Sequence, residues 1–191
     1  MPNLTISKTT AASLMALRQQ YYQTLTTPLD GMWEQFALAA DQYLIEKADG
    51  TPIAYGAVNA DHKILQFFSV LPALAPTAFA TLVQELDLSG ATVATSDGPF
   101  LAYCMDHQQS TTVNALMYHS ADTRAAAPTF PQETQFRLIA ANELGAAVEF
   151  AFCALGADRG WLSGYYTTLI ERQELFGLWQ ADSLIAAGSA A

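Results

Sequence analysis

The sequence predicts an α/β (α+β) fold, a mixed, mostly antiparallel sheet flanked by helices. Three observations lead there: short β-rich runs joined at an Asp-Gly turn, one run that is apolar almost throughout, and helical spacing that alternates with the later strands. The 191 residues are 51% hydrophobic and 14% charged, which supplies a sizeable core and is far from the make-up of disordered chains.

Thr9 to Arg18 reads as the start of a helix, since Thr10 or Ser13 can cap it and Leu14, Leu17 and Tyr21 recur on one face. Thr26-Thr27-Pro28 breaks the chain, and a second helix runs from about Leu29 to Ala40 with Met32, Trp33 and Phe36 on one side. Tyr43–Glu46 and Ile53–Val58 pair as a hairpin over Ala48-Asp49-Gly50, where glycine takes a positive φ at no steric cost. Ile64–Val70 is apolar at nearly every position, the pattern of a central strand covered on both faces. Pro72 and Pro76 end that strand and open a helix from Thr77 to Leu86. A strand at Thr92–Thr95, a helix from Pro99 to Asp106 and a strand from Val113 to Tyr118 complete the series.

Residues 1–120 therefore read as one complete domain, 121–135 as a linker with Pro128 and Pro131, and 136–191 as the opening of a second domain. Asn142 can cap a helix bearing Leu144, Val148 and Phe152; a second helix covers Leu162–Arg172; a hairpin covers 174–188. Aligning Tyr43–Gly56 with Phe176–Gly188 over one gap matches Asp49 with Asp182, Ile53 with Ile185, Ala54 with Ala186 and Gly56 with Gly188. Tyr21-Tyr22 and Tyr165-Tyr166 recur upstream, and an internal duplication accounts for the pattern. A hairpin alone is marginally stable and leaves free edges. The second copy is expected to extend the first sheet, to pair two chains as a homodimer, or to continue past Ala191 in a longer natural protein; the stop in mid-strand favours the last.

The 18 acidic against 8 basic residues give a net charge of −10, with no Lys/Arg cluster to hold a phosphate backbone, so no nucleic acid is expected. An acidic surface tolerates a cationic amine, although solubility alone also explains it. Cys104 and Cys153 stand in apolar helical contexts without CxxC spacing, which predicts buried, inert thiols in a reducing compartment. His62, His107 and His119 lack metal-ligand spacing, so no metal is expected. The N-terminus has no secretory pattern and no apolar run nears the ~20 residues that span a bilayer, so a cytoplasmic protein with no membrane partner is expected.

The stretch Tyr43–Val58, with its Asp49-Gly50 turn and Ile53-Ala54-Tyr55-Gly56-Ala57-Val58, resembles the hairpin of the GNAT superfamily of N-acetyltransferases. The apolar strand Leu65–Val70, then helix, strand, helix and strand, follows in that family's order. Phe136-Arg137-Leu138 followed by Asn142-Glu143-Leu144 resembles the way such domains open. The resemblance spans the chain as one and a third domains and rests on order and pattern. It implies an acyl-CoA N-acyltransferase-like fold, acetyl-CoA as co-substrate, and a small-molecule or peptide amine as acceptor.

The same resemblance implies a substrate cleft along Gln66, Phe67, Phe68 and Ser69, cofactor contacts at Val70 and Leu71, and Tyr103 as the group that protonates the departing thiolate. Two departures stand against it. Where the family has a glycine-bearing loop whose N–H groups hold a pyrophosphate, this chain reads Leu71-Pro72-Ala73-Leu74-Ala75-Pro76-Thr77-Ala78, with no glycine and two positions without an N–H. The Gly-Phe pair expected after Tyr103 is His107-Gln108, and the plainer reading makes Tyr103 a half-buried aromatic on an amphipathic helix. Gln66, polar within an apolar strand, needs a hydrogen-bond partner if buried. The expected activity is acetyl transfer to an amine by a fragment or degenerate form; the alternative is a non-catalytic GNAT-like binding or scaffolding module.

Overall fold

Alternating exposure along Leu4–Thr9 marks a strand, β1, at the edge of a sheet, in the place where the sequence predicts the approach to a helix. Its pairing with β2 (Asp41–Lys47), from Leu4 opposite Lys47 to Thr9 opposite Gln42, extends it over Thr9 and delays the helix. Thr10 Oγ1 accepts from the Ser13 N–H at 3.2 Å, a 3-10 turn covers Ala12–Leu14, and α1 occupies Met15–Thr24. The structure is a computed structural model that describes residues 3–27, 29–113 and 133–189. Pro28, His119, the linker as far as residue 132 and the strand predicted beyond Val113 lie outside those residues.

The chain divides into two compact units, Met1–Val113 and Asn114–Ala191. In the first, α2 (Gly31–Ala39) starts where Asp30 Oδ1 accepts from the N–H groups of Met32 and Trp33, so the cap sets its first residue two positions after the predicted one. The hairpin β2–β3 (Pro52–Val58) turns at Gly50 with φ of 78°, as the sequence predicts. Then come β4 (Lys63–Ser69), α3 (Ala75–Glu85), a two-residue β5 (Gly90–Ala91) and α4 (Gly98–His107). The sheet order is β1-β2-β3-β4-β5, antiparallel except for the β4–β5 pair. The strand predicted at Thr92–Thr95 sits two residues earlier and is shorter, because the chain leaves β4 after Thr92 donates to the Ile64 carbonyl.

Two apolar layers hold this sheet. One joins Ile45, Ile53, Ala54, Ile64 and Phe67 to Ala78, Phe79 and Leu82 of α3 and Phe100 of α4. The other packs Leu14 and Tyr21 of the first helical segment on Tyr55. At Gly56, facing Phe67 across the β3–β4 ladder, a Cβ would come within 2.7 Å of Leu82 Cδ2, so the missing side chain lets α3 approach. Cys104 is half-buried and burial pushes its thiol up to about 11; Cys153, predicted buried, is exposed at the outer face of its helix.

The second unit repeats the opening of the first: β6 (Thr134–Leu138), a 3-10 turn at Ala141–Glu143, α5 (Leu144–Leu155), α6 (Arg159–Glu171), then β7 (Leu175–Gln180) and β8 (Ser183–Ser189). β6 begins inside the predicted linker and enters the sheet as the partner of β7, in the order β6-β7-β8. Tyr43 faces Gly56 as Phe176 faces Gly188, and the ladder slips by one residue after Ile45 and again after Leu178. The hairpins share register as well as sequence. Asn142 lies within the 3-10 turn and does not cap; Glu143 does, accepting from the Ala140 N–H at 2.9 Å while gripping Arg137 with both oxygens at 2.6 and 2.7 Å.

The Arg137 guanidinium, with the Ala140 N–H, holds the Glu143 carboxyl down to about 2. A folded pKa below the unfolded one stabilises the fold above about pH 4.5, and that contribution disappears as pH falls towards 2. Glu143→Gln is expected to flatten the fall in melting temperature over this window, as thermal scans between pH 2 and 6 would read. The same slope in both proteins would remove Glu143 from the account.

Candidate functional site

β4 carries the predicted cleft residues, and its two edges differ. Against β3 the ladder is continuous from Gln66 to Ser69, and the Val70 N–H donates to the Ile53 carbonyl at 2.9 Å. Against β5 it stops after Lys63 opposite Gly90 and Ile64 opposite Ala91. Ile64 faces Val58 while Gln66 faces Ala57, so Leu65 is an extra residue, a bulge at the point where the strands part. Because Val70 and Ile53 form a bonded pair, antiparallel alternation turns the N–H and C=O of Phe67 and Ser69 towards the edge that β5 has left.

Side chains alternate across the same strand. Phe67 joins the α3–α4 layer, with its ring 5.0 Å from Phe79 and 5.7 Å edge-on from Tyr103. Phe68 goes to the α1 layer, 5.8 Å from Tyr21 and 6.3 Å from Tyr55. Gln66 is fully buried on that side; its Oε1 accepts from the Tyr55 hydroxyl at 3.2 Å, and its Nε2 has no partner among the described residues. Ser69 is tied to the backbone, donating to the carbonyls of Ile53 and Leu71 and accepting from the Leu71 N–H. The strand thus brings Phe67 and Tyr103 together and sends Gln66 and Phe68 to the other face. Burial pushes the Tyr103 hydroxyl up from its ordinary value.

On the α1 side lies a polar group that sequence reasoning missed. Asp97 caps α4, its Oδ1 accepting from the Phe100 N–H at 3.1 Å, while its Oδ2 accepts from the Tyr21 hydroxyl at 2.7 Å. Only 4% of Asp97 is exposed, and burial raises its pKa even though both bonds favour the carboxylate. Tyr22 donates to Glu34 Oε1 of α2 at 2.7 Å, and burial pushes that phenol up, with the Gln66 amide near enough to oppose the rise without forming a hydrogen bond to it. Arg18, also buried, donates to Gln42 Oε1 at 2.7 Å and lies 5.3 Å from the Tyr55 ring centroid. Thr26 donates to the Ser96 carbonyl at 3.2 Å, tying the end of α1 to the segment that leaves β5. A pocket of about 240 Å³ opens beside this group, with Met15, Arg18, Tyr22 and Leu38 among its walls. The Asp97-Gly98-Pro99 sequence is a helix-start signal that could have located Asp97; nothing local announces that Tyr21, 76 positions away, would be its partner.

The loop after β4 could seat a coenzyme diphosphate only on its own amides. Leu71 donates to Ser69 Oγ, Leu74 to the Leu71 carbonyl, Ala75 to Pro72 and Ala78 to Leu74, while Pro72 and Pro76 have no N–H to give. Donors at a helix N-terminus bind phosphate only when they are unspent. With four amides spent and two positions without an N–H, only Ala73 and Thr77 keep a donor, fewer than a glycine-bearing loop presents. Among the described residues no three His, Cys, Asp or Glu side chains gather as metal ligands, and no helix is long and apolar enough to cross a membrane.

A five-stranded sheet whose β4 parts from β5, with helices on both faces, defines the acyltransferase class of fold. Residues 10–121 match the family described as an acetyltransferase (GNAT) domain. Among solved structures the chain is similar to an acetyltransferase from the GNAT family from Colwellia psychrerythraea, at 30% identity and a TM-score of 0.80, over 98% of this chain and 71% of that one. A weaker similarity, 12% identity and a TM-score of 0.43 over 98% of this chain and 27% of the other, is to a GCN5-related glucosamine N-acetyltransferase region of a fungal multi-domain GH3 β-N-acetylglucosaminidase. No curated protein matches the sequence. The chain belongs to the GNAT family of acetyltransferases.

Proposed function

We propose that the protein takes part in acetyl transfer to an amine, with its first unit forming the acceptor side of the site. The observation that carries this reading is the parting of β4 from β5 on the side where Phe68 packs on Tyr21 and two carboxylates, Asp97 and Glu34, are each held by a tyrosine. An ammonium group is drawn to the half-buried Glu34, and the Asp97 carboxyl, its pKa raised by burial, is placed to accept a proton. Acetyl-CoA is the co-substrate that family membership supports. On this reading Tyr103 stays a packing residue beside Phe67.

An acetyl-CoA thiol-release assay over a panel of small amines and amine-bearing peptides tests the reading. Amine-dependent release is expected, and no release with any amine would overturn it. Glu34→Gln is expected to raise the KM for the amine roughly tenfold by removing a charge-assisted contact, with a smaller change in kcat. An unchanged KM would place the amine elsewhere.

The loop at 71–78, with six of its eight amides spent or replaced by proline, favours a second reading, a non-catalytic binding module. Calorimetry separates the two. Acetyl-CoA binding in the micromolar range supports the enzyme, and no heat at millimolar coenzyme supports the module.

A further inference from the structure

Lys8, Arg137 and Arg159 meet the carboxylates of Asp41, Glu143 and Glu149 at 2.7, 2.6 and 2.7 Å, and all three side chains are exposed. Arg18 is different. It is 5% exposed, and among the described residues no carboxylate pairs with it. Its terminal nitrogens donate to the Ala11 carbonyl at 3.4 Å and to Gln42 Oε1 at 2.7 Å, and its buried Nε has no partner among the described residues. The Tyr55 ring, 5.3 Å from the guanidinium carbon, offers the charge a π face but no acceptor for that N–H.

Guanidinium groups keep their charge inside proteins, and a buried charge without a counter-charge lowers stability. Here the group in the place of a counter-ion is neutral. Gln42 Nε2 donates to the carbonyls of Ala37 and Ala40, both at 2.7 Å, which clamps the amide with its oxygen towards Arg18. A glutamate at position 42 would cancel the charge and forgo both of those bonds. The guanidinium is thus fixed in place and left positive.

Arg18 is also a wall of the pocket of about 240 Å³, whose other walls are Ala11, Ala12, Met15, Gln19, Tyr22 and Leu38. The Tyr22 hydroxyl is spent on Glu34, so apart from Gln19 and Arg18 the side chains offer apolar surface. We infer that this pocket binds a small apolar carboxylic acid, its carboxylate on the unspent N–H groups of Arg18 and its body against Met15, Tyr22 and Leu38. A guanidinium fork matches the two oxygens of a carboxylate, and apolar walls with one convergent charge suit an organic body. A bare inorganic anion would need further donors, which these walls do not supply. The inference rests on the burial of Arg18 within the first unit and is independent of acetyl transfer.

Phenylacetate and isovalerate serve as probes, each compared with its neutral carboxamide, in coenzyme-free titrations of the full 191-residue protein followed by backbone N–H shifts at neutral pH. Saturable shifts centred on Ala11, Arg18, Tyr22 and Leu38 are expected, with the carboxamides binding at least roughly tenfold more weakly. Arg18→Met should abolish the preference for acid over carboxamide. Ala12→Leu, at an exposed position, should weaken binding of the acid roughly tenfold by filling the pocket while leaving the melting temperature unchanged. No shifts at millimolar acid, equal binding of acid and carboxamide, or a preference that survives Arg18→Met would overturn the inference. So would inorganic phosphate displacing phenylacetate at equal concentration, because Arg18 would then hold an adventitious ion only.

Discussion

Asp97→Ala is expected to lower the free energy of unfolding by about 3 kcal/mol, the sum of a lost helix cap and a buried tyrosine hydroxyl left without its acceptor. Asp97→Asn keeps one acceptor oxygen and should cost about 1 kcal/mol at neutral pH. The pH dependence separates the charge from the hydrogen bonds. Burial raises the folded-state pKa of Asp97 above its unfolded value. Its favourable contribution is therefore complete below about pH 4 and is lost as pH rises through the folded pKa. Relative to Asp97→Asn, the native protein should gain stability in acid and lose it towards neutrality. Urea titrations at pH 4 and pH 8 read that difference. An Asp97→Ala variant as stable as the native protein would mean that Tyr21 and the α4 terminus find equivalent partners elsewhere.

Phe79→Ala should be more damaging, at about 3–5 kcal/mol, because the ring is buried at the centre of the α3–α4 layer and the site cannot collapse around its loss. Its centroid stands 5.0 Å from Phe67, 6.1 Å from Phe100 and 5.8 Å from Tyr103, so one deletion leaves three rings without an edge. Phe79→Leu preserves most of the volume and should cost about 1–2 kcal/mol. The midpoint of denaturant unfolding reports both. A loss below about 1 kcal/mol for the alanine variant would show that α3 is not the principal cover of β3 and β4.

The parts of the fold legible in the sequence are those with local causes. Gly50 in its turn, the apolar run of β4, and the prolines that open α3 each announce their element within a few residues. The likeness of the two hairpins was legible because turn chemistry and the glycine of the second strand recur together, and Gly56 and Gly188 hold matching places in their ladders. β1 was not legible. Leu4–Thr9 is polar at alternate positions, and only its pairing with β2, some forty residues away, makes it a strand rather than the lead into a helix. β6 hides for the same reason, since β7 lies beyond two helices.

The site divides along the same line. Gln66 stands out in the sequence as a polar residue in an apolar strand, and its bond to Tyr55 supplies the partner that burial demands. The Tyr21–Asp97 and Tyr22–Glu34 pairs join residues remote in sequence or on separate helices, and no spacing rule reaches them. The failing diphosphate loop was legible in part. Two prolines can be read directly, whereas the spending of the Leu71, Leu74, Ala75 and Ala78 amides on Ser69 and on neighbouring carbonyls emerges only from the folded turn.

Leu65 gives the strand a change of parity. Ile64 and Phe67, three residues apart, both enter the layer beneath α3, which an unbroken strand of period two forbids. Were the bulge drawn out straight with every residue kept, Gln66 would point the same way as Ile64, and a carboxamide would sit among Phe79, Leu82 and Phe100 while a phenyl ring displaced it from Tyr55. The bulge at Leu65 thus lets seven residues sort polar from apolar on either side of β4, and deleting Leu65 would restore simple alternation with Phe67 still beneath α3 and Gln66 still beside Tyr55.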